Sequence, residues 1–319
     1  MLSAEDKILR LVRRSKLFIP ANREKFIQKA WNRGADCIIL DLEDSIAPAD
    51  KASARRVIKD AIPVVTRGGS EVEVRINREF AEEDLDAIMH PGLTSLMIPK
   101  CESALEIQRL DEMVAHFERE RGIPTGSIQF DLIIETAVGI VSMEAIAPAS
   151  PRIVQVSVGP VDLSGDMGWG HSPELRYDQF YYPSSRLLFA ARAAGVQASG
   201  MAPQSKVDFT DLSPDREMML QACRRSFEMG FLGSAVIHPA WCEPMNRGFN
   251  YTPAEIETAR KIKAVMDEAY ARGAGSASLD GRMVDVAHLK QVNRILVRAE
   301  AIARRDAEKA ATMAAAGGM

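Results

Sequence analysis

Histidine, paired cysteine, excess positive charge and long apolar runs are all scarce in this chain. Its five histidines are scattered through 319 residues with no H-x-x-x-H pair, so a zinc site built on imidazoles is not expected. The four cysteines (Cys37, Cys101, Cys223, Cys242) show no C-x-x-C spacing, which argues for a reduced, cytoplasmic setting. No apolar stretch is long enough to span a bilayer, and the opening residues MLSAEDKILRLVRRSK lack the uninterrupted hydrophobic segment of a secretory leader. With 40 Lys and Arg against 44 Asp and Glu, the formal net charge is −4, so no global basic field draws nucleic acid or anionic lipid. Trp31, Trp169 and Trp241 have no spacing that reads as a stacking platform.

What is present is a repeating pattern of short apolar runs that end in chemistry. Hydrophobic residues make up 46% of the chain, enough for a large α/β core. Eight runs stand out: 17–20 (LFIP), 37–43 (CIILDLE), 71–77 (EVEVRIN), 95–100 (SLMIPK), 130–136 (FDLIIET), 153–160 (IVQVSVGP), 196–202 (VQASGMA) and 235–239 (AVIHP). The seventh is the weakest, because serine and glycine are poor strand formers. Helical patterns such as NREKFIQKAWNRG and PSSRLLFAARAAG lie between them and close on glycine, as helix C-termini often do. Strands alternating with helices over about 240 residues predict an α/β fold, a TIM (β/α)8 barrel across residues 1–240, for which ~250 residues is typical. Residues 241–319 read as a C-terminal helical extension without strand partners of its own. It comprises a helix from Pro253 to about Arg272, a small-residue stretch (GAGSASLDG), a long helix from about Val286 to Ala311 and a frayed tail, AAAGGM. The extension is expected to pack on the barrel or to serve a neighbouring subunit's site.

In a parallel barrel all strand C-termini open on one face, and that face carries the active site. Glu135 and Asp162 close two neighbouring strands and offer hard oxygen donors suited to Mg²⁺, which keeps waters and takes substrate oxygens. Two carboxylates 27 positions apart can also be unrelated surface charges. Arg75 ends an alternating strand, and its fork suits a carboxylate or enolate oxygen; pairing with Asp41, Glu43 and Asp44 is the structural reading, and such pairing would orient it. Glu43 is expected to hydrogen-bond metal-bound water and Asp44 to cap the following turn. Gly159-Pro160-Val161-Asp162 reads as a strand leading into a turn, whose N–H groups around Pro160, those of Gly159 and Val161, would hold a substrate carboxylate. Lys100 could attract an anion, form a Schiff base or simply make an ion pair. His238 reads as structural. The basic run from Arg10 to Lys16 reads as a solvated face or as a rim contact for a phosphorylated ligand.

Taken together, these motifs resemble those of a known family. They are Arg14-Ser15-x-Leu17-Phe18-Ile19-Pro20, Leu40-Asp41-Leu42-Glu43-Asp44-Ser45, Arg75-Ile76-Asn77, Pro99-Lys100, Ile134-Glu135-Thr136, Gly159-x-x-Asp162, Ile237-His238-Pro239 and Gly281-Arg282-Met283-Val284-Asp285. The chain resembles the citrate lyase β-subunit group, which includes malyl-CoA and citramalyl-CoA lyases, within the HpcH/HpaI aldolase superfamily. The resemblance implies a TIM barrel, Mg²⁺ (or Mn²⁺), and cleavage of a 3-hydroxy-acyl CoA thioester such as malyl-CoA or citramalyl-CoA into an acyl-CoA and a 2-oxo acid. It implies Glu135 and Asp162 as metal ligands, Arg75 as enolate stabiliser and Glu43 as the carboxylate behind them. It also implies Asp285 as an acid/base donated across a subunit interface, within a homotrimer or hexamer. Two stretches depart from the lyase pattern. Gly159 to Gly168 looks more like the 2-keto-3-deoxy acid aldolases, and Ala198-Ser199-Gly200-Met201-Ala202-Pro203 lacks the aspartate usual after the seventh strand. A metal-dependent aldolase on a free 2-keto-4-hydroxy acid and a carrier-dependent citrate lyase β-type subunit are therefore the alternatives.

Overall fold

The computed structural model describes residues 4–170, 179–203 and 215–317. The chain divides into two compact units, one of Arg13–Phe249 with Lys309–Met319, the other of Met1–Val12 with Asn250–Glu308.

The larger unit is an eight-stranded parallel barrel with helices outside it. Its strands are β1 (Ser15–Pro20), β2 (Cys37–Asp41), β3 (Glu71–Arg75), β4 (Ser95–Ile98), β5 (Gln129–Ile134), β6 (Ile153–Val158), β7 (Gln197–Ser199) and β8 (Ser234–Val236). Their order is β7-β6-β5-β4-β3-β2-β1-β8. The ring closes through backbone bonds beside the two short end strands: the Gly200 N–H donates to the Gly233 carbonyl at 2.8 Å and the Leu232 N–H to the Ala198 carbonyl at 3.1 Å. β2 is buried along its whole length, as expected of an Ile/Leu-rich parallel strand covered on both faces.

The helices of this unit follow their strands: α2 (Glu24–Ala30), α3 (Lys51–Val65), α4 (Ala81–Ile88), α5 (Ala104–Glu120), α6 (Ala137–Ile146), α7 (Pro160–Asp166), α8 (Tyr181–Ala194), α9 (Arg216–Met229) and α10 (Cys242–Gly248). Local chemistry sets several ends. Ser103 and Thr136 cap α5 and α6 by accepting the N–H groups of Leu105 and Gly139. α8 stops at Gly195, whose φ of 74° is a left-handed cap. The expected turn after β6 is in fact α7, because Pro160 sits at its first position, where a missing N–H costs nothing.

The basic run before β1 is neither a solvated face nor a rim site. Arg13, Arg14 and Lys16 are fully buried and paired. Arg13 donates to Glu71 at 2.5 Å, Glu73 at 2.9 Å and Gln129 at 2.6 Å. Lys16 pairs with Asp131 and lies 3.9 Å from Glu73. Arg14 grips Asp36 at 2.8 and 3.0 Å, and Lys309 adds a third contact to Asp36 at 2.7 Å. Burial of such charges requires this pairing. Further along the barrel axis the interior turns apolar, with Ile39, Met97 and Ile133 packed together and Phe18 and Ala235 against them.

The smaller unit comprises α1 (Ala4–Arg10), α11 (Pro253–Ala271), β9 (Ser276–Leu279), β10 (Arg282–Asp285) and most of α12 (Val286–Gly317). A Thr252–Glu255 capping box starts α11. The buried Arg298 guanidinium donates to the carbonyls of Leu9, in α1, and Leu11, just past it, and Val12 packs on Ala301 and Ile302. The unit does have strands of its own: β9 and β10 pair antiparallel, joined at Asp280-Gly281, both with positive φ (49° and 75°). That is the two-residue turn favoured in hairpins. α12 continues through Gly317, so the expected fraying of AAAGGM does not begin at Ala314; Gly318 and Met319 lie outside the described residues.

Candidate active site

The C-terminal end of the barrel gathers Asp41, Glu43, Arg75, Lys100, Glu135 and Asp162. β2 and β3 pair in register with Asp41 opposite Arg75. The Arg75 fork therefore meets the Asp41 carboxylate squarely, with Nε and Nη2 donating to its two oxygens at 2.7 Å each. Its Nη1 is 3.0 Å from Glu43 and 3.3 Å from Asp44. The guanidinium also lies 4.9 Å from the centroid of the Phe18 ring, within cation–π range. Arg75 is thus held from several sides and still lines the mouth of the barrel.

Asp41, not Asp44, caps the turn after β2. Its oxygens accept the N–H groups of Glu43 at 2.9 Å and Ser45 at 3.2 Å; β2 ends at Asp41, so the residue pinned by Arg75 is also the one facing the turn. Burial opposes the Asp41 charge, but the Arg75 bonds outweigh it and hold the carboxyl below its usual value. Lys51 fixes the same loop by donating to the Leu42 and Glu43 carbonyls at 3.0 Å. Burial raises the Glu43 carboxyl, opposed by Arg75 and Lys100. Its buried Oε2 is the oxygen that lies 3.0 Å from Arg75 Nη1, an ion pair without hydrogen-bond geometry.

Lys100 contributes mainly through its backbone. Its φ of 51° is uncommon for a non-glycine residue. That turn aims its N–H at Glu135 Oε1, 2.8 Å away, and its carbonyl accepts from Arg78. Its ammonium pairs with Glu43 at 2.7 Å and approaches Asp44 at 3.8 Å. Of the readings open for Lys100, the ion pair is the one the structure shows.

Glu135 follows β5 and is 3% exposed. Burial and then repulsion from Asp162, in the first turn of α7, push its carboxyl up to about 8. Gly159 makes room for it: a Cβ there would lie 2.2 Å from Glu135 Oε2. The Gly159 N–H is bonded to the Ile134 carbonyl at 3.0 Å, so this amide is not free to hold a substrate carboxylate. Gly159, Val161 and Asp162 nonetheless line the cavity, with a volume of about 300 Å³, that opens beside Arg75 and Glu135. His238 is structural, its Nδ1 accepting the Ala240 N–H at 3.3 Å.

The donor set fits a hard divalent cation. Among the described residues no group of three or more His, Cys, Asp or Glu is placed to hold a metal. Two neighbouring carboxylates, one raised by the other, are the set Mg²⁺ takes alongside water and substrate oxygens. A cation held by Glu135 and Asp162 would relieve their repulsion.

Asp285 belongs to the smaller unit, where it ends β10. Its Oδ1 accepts the Ala287 N–H at 3.0 Å and lies 2.8 Å from His288 Nδ1. The His288 contact holds its carboxyl below the usual value. Sequence reasoning missed the roles of Phe18, Lys51, His288 and the Lys100 backbone. Phe18 sits in a run already marked as a strand, but nothing local signals its stacking on Arg75.

Residues 14–239 match the family described as HpcH/HpaI aldolase/citrate lyase. Citrate lyase subunit beta of Leuconostoc mesenteroides subsp. cremoris is 32% identical over 293 residues, covering 91% of this chain and 94% of the relative. L-malyl-CoA/beta-methylmalyl-CoA lyase of Cereibacter sphaeroides is 36% identical, covering 91% and 95%. Among solved structures, CitE of Mycobacterium tuberculosis in complex with magnesium, acetoacetate and coenzyme A superposes with a TM-score of 0.68 at 26% identity, covering 91% of this chain and 99% of that one.

Proposed function

The chain belongs to the HpcH/HpaI aldolase/citrate lyase family of carbon–carbon lyases, and from that premise we propose that it is a Mg²⁺-dependent lyase of a 3-hydroxy-acyl CoA thioester. It would cleave a malyl-CoA- or citramalyl-CoA-like substrate into an acyl-CoA and a 2-oxo acid, or run the reverse condensation. The observation that carries this reading is the convergence of Glu135, Asp162 and Arg75 on one cavity at the C-terminal end of the barrel. Mg²⁺ held by Glu135 and Asp162 would polarise the substrate's carboxylate and hydroxyl oxygens as a Lewis acid.

The chain's own groups supply the rest. Arg75 is immobilised by Asp41 and Phe18 before substrate arrives. A guanidinium so placed stabilises an enolate oxygen as charge develops, without reorganising. Asp41, Glu43 and Asp44 keep it charged, and Lys100 offsets the excess of negative charge around Glu43. Asp285 of a neighbouring copy is the proposed acid/base that takes and returns the proton, which requires an oligomer, and the resemblance implies a homotrimer or hexamer.

The test is condensation of acetyl-CoA or propionyl-CoA with glyoxylate or pyruvate, with and without Mg²⁺, read by mass spectrometry of the thioester product. A Mg²⁺-dependent 3-hydroxy-acyl-CoA product supports the reading. Absence of thioester turnover alongside retro-aldol cleavage of a free 4-hydroxy-2-oxo acid would replace it with the aldolase alternative. Activity only on an acyl-carrier thioester would replace it with the citrate lyase subunit role.

A further inference from the structure

The barrel interior below the carboxylates is unevenly filled. Inward side chains of such barrels normally stack in layers of bulky branched residues. Here Phe18, Ile39, Met97 and Ile133 fill the level beneath Arg75 and Glu135 on the β1–β5 side. On the other side β6, β7 and β8 line the cavity with Ser157, Val158, Ser199, Ser234, Ala235 and Val236, none larger than valine. Register puts Ser157 and Ser199 level with Ile133 on successive strands, so the large side chain of that level gives way to small ones. Among the described residues the cavity therefore runs inward from Glu135, past Met97 and Ile133, to the buried Lys16.

The walls and floor of this shaft have distinct chemistry. The Ser157 and Ser199 hydroxyls sit 3.2 and 3.3 Å from the Leu132 and Gly233 carbonyls and donate to them. Their protons are thus engaged, as is that of Ser234, 3.5 Å from the Ala235 carbonyl; beyond these and the Ser184 hydroxyl the walls offer mostly carbon and sulfur. The floor is polar but not anion-seeking. Lys16 and Arg13 bring two positive charges to three carboxylates, those of Glu71, Glu73 and Asp131. Glu73 Oε2 and Asp131 Oδ1 are buried acceptors without a hydrogen bond, so a second anion there would meet repulsion.

We infer that this shaft takes the alkyl side chain of the 2-oxo acid, so that the preferred partner is a 2-oxo acid with a linear, uncharged side chain such as 2-oxobutanoate or 2-oxopentanoate. The inference rests on the lyase reading for the orientation of the substrate. Oxygens of the 2-oxo acid face Glu135, Asp162 and Arg75 at the mouth, and its side chain continues inward. The thioester cannot take this place with its bulk, since its long carrier arm must leave through the open mouth beside the exposed Val161.

Calorimetric titration in the presence of Mg²⁺ tests this, using glyoxylate, pyruvate, 2-oxobutanoate, 2-oxopentanoate and 2-oxoglutarate. Burial of each methylene is expected to tighten binding about fourfold, hence about fifteenfold from pyruvate to 2-oxopentanoate. 2-Oxoglutarate should bind more weakly than 2-oxopentanoate. Ala235→Leu, and the milder Ala235→Val, fill the shaft and should abolish that gradient, so that the longest acid becomes the weakest. The inference is overturned if wild-type affinity is flat or falls with chain length, if 2-oxoglutarate binds best, or if the gradient survives both fillings. Condensation with acetyl-CoA is read separately. Its failure with every acid removes the lyase reading, whereas the binding series alone decides the shaft.

Discussion

Gly159→Ala is the sharpest test of the metal-ligand geometry, because alanine suits the backbone there. Gly159 has φ −85°, so the substitution adds a contact without adding backbone strain. The new Cβ would stand 2.2 Å from Glu135 Oε2, 2.8 Å from Glu135 Cβ and 3.0 Å from Ile133 Cγ2. Heavy atoms rest at about 3.5 Å, so the carboxylate must retreat by roughly 1.3 Å. It is not free to do so, because its other oxygen is held by the Lys100 N–H at 2.8 Å. Overpacking of this kind costs about 1–3 kcal/mol of stability. A displacement near 1 Å at a reacting centre costs about 100-fold in rate. Turnover measured across a Mg²⁺ titration, with a thermal melt of the same sample, is therefore expected to show a rate about two orders of magnitude lower and a raised Mg²⁺ requirement. The melting temperature should drop by only about 2–4 °C per kcal/mol lost. An unchanged Mg²⁺ requirement and turnover in a variant carrying that methyl group would refute both the assignment of Glu135 and the geometry that supports it.

Arg75→Lys keeps the charge but loses the fork on Asp41 and the stacking on Phe18; kcat should fall about 10²–10³-fold in steady-state assays. Asp36→Asn should cost about 3–5 kcal/mol in denaturant melts, since Arg14 and Lys309 would be left short of a buried partner. Burial opposes the Asp36 charge, but Arg14 and Lys309 hold its carboxyl well below the ordinary aspartate value of 3.8. A lowered folded-state value means that the stabilisation is complete above that ordinary value and lost as pH falls below it, so the gap between wild type and Asp36→Asn should shrink in acid melts. Asp285→Asn should lower kcat far more than it raises KM; equal kcat would make the β9–β10 hairpin structural only.

Much of the barrel is legible in the sequence because burial writes itself as apolar runs, and Asp41, Arg75 and Glu135 interrupt those runs where each strand ends. Legibility fails where meaning depends on a distant partner. Nothing near Gly159 says that a carboxylate from the preceding βα unit will occupy the space its missing Cβ leaves. Lys100 reads as a side chain, yet it acts through an amide whose direction is set by φ. Arg13, Arg14 and Lys16 look like a solvated cluster because their counter-charges lie further along the chain, on β3 and β5 and just before β2. The β9–β10 hairpin was readable: Leu279-Asp280-Gly281-Arg282 carries the Asp-Gly turn signature, masked by the small residues before it. α7 was also readable, since proline opens helices as readily as turns.

The ion pair between Lys309 and Asp36 joins residues 273 positions apart. During synthesis Asp36 emerges early and pairs with Arg14, its near neighbour, but its second cation leaves the ribosome only after 273 more residues. At roughly 5–20 residues per second that interval is about 14–55 s. For that time the lower rim of the nascent barrel holds Asp36 one cation short, within a fold whose two closing strands are also its shortest. The last turns of α12 thus act as a late clasp, and the emergence of Lys309, rather than completion of the eighth strand, is the event that finishes this barrel.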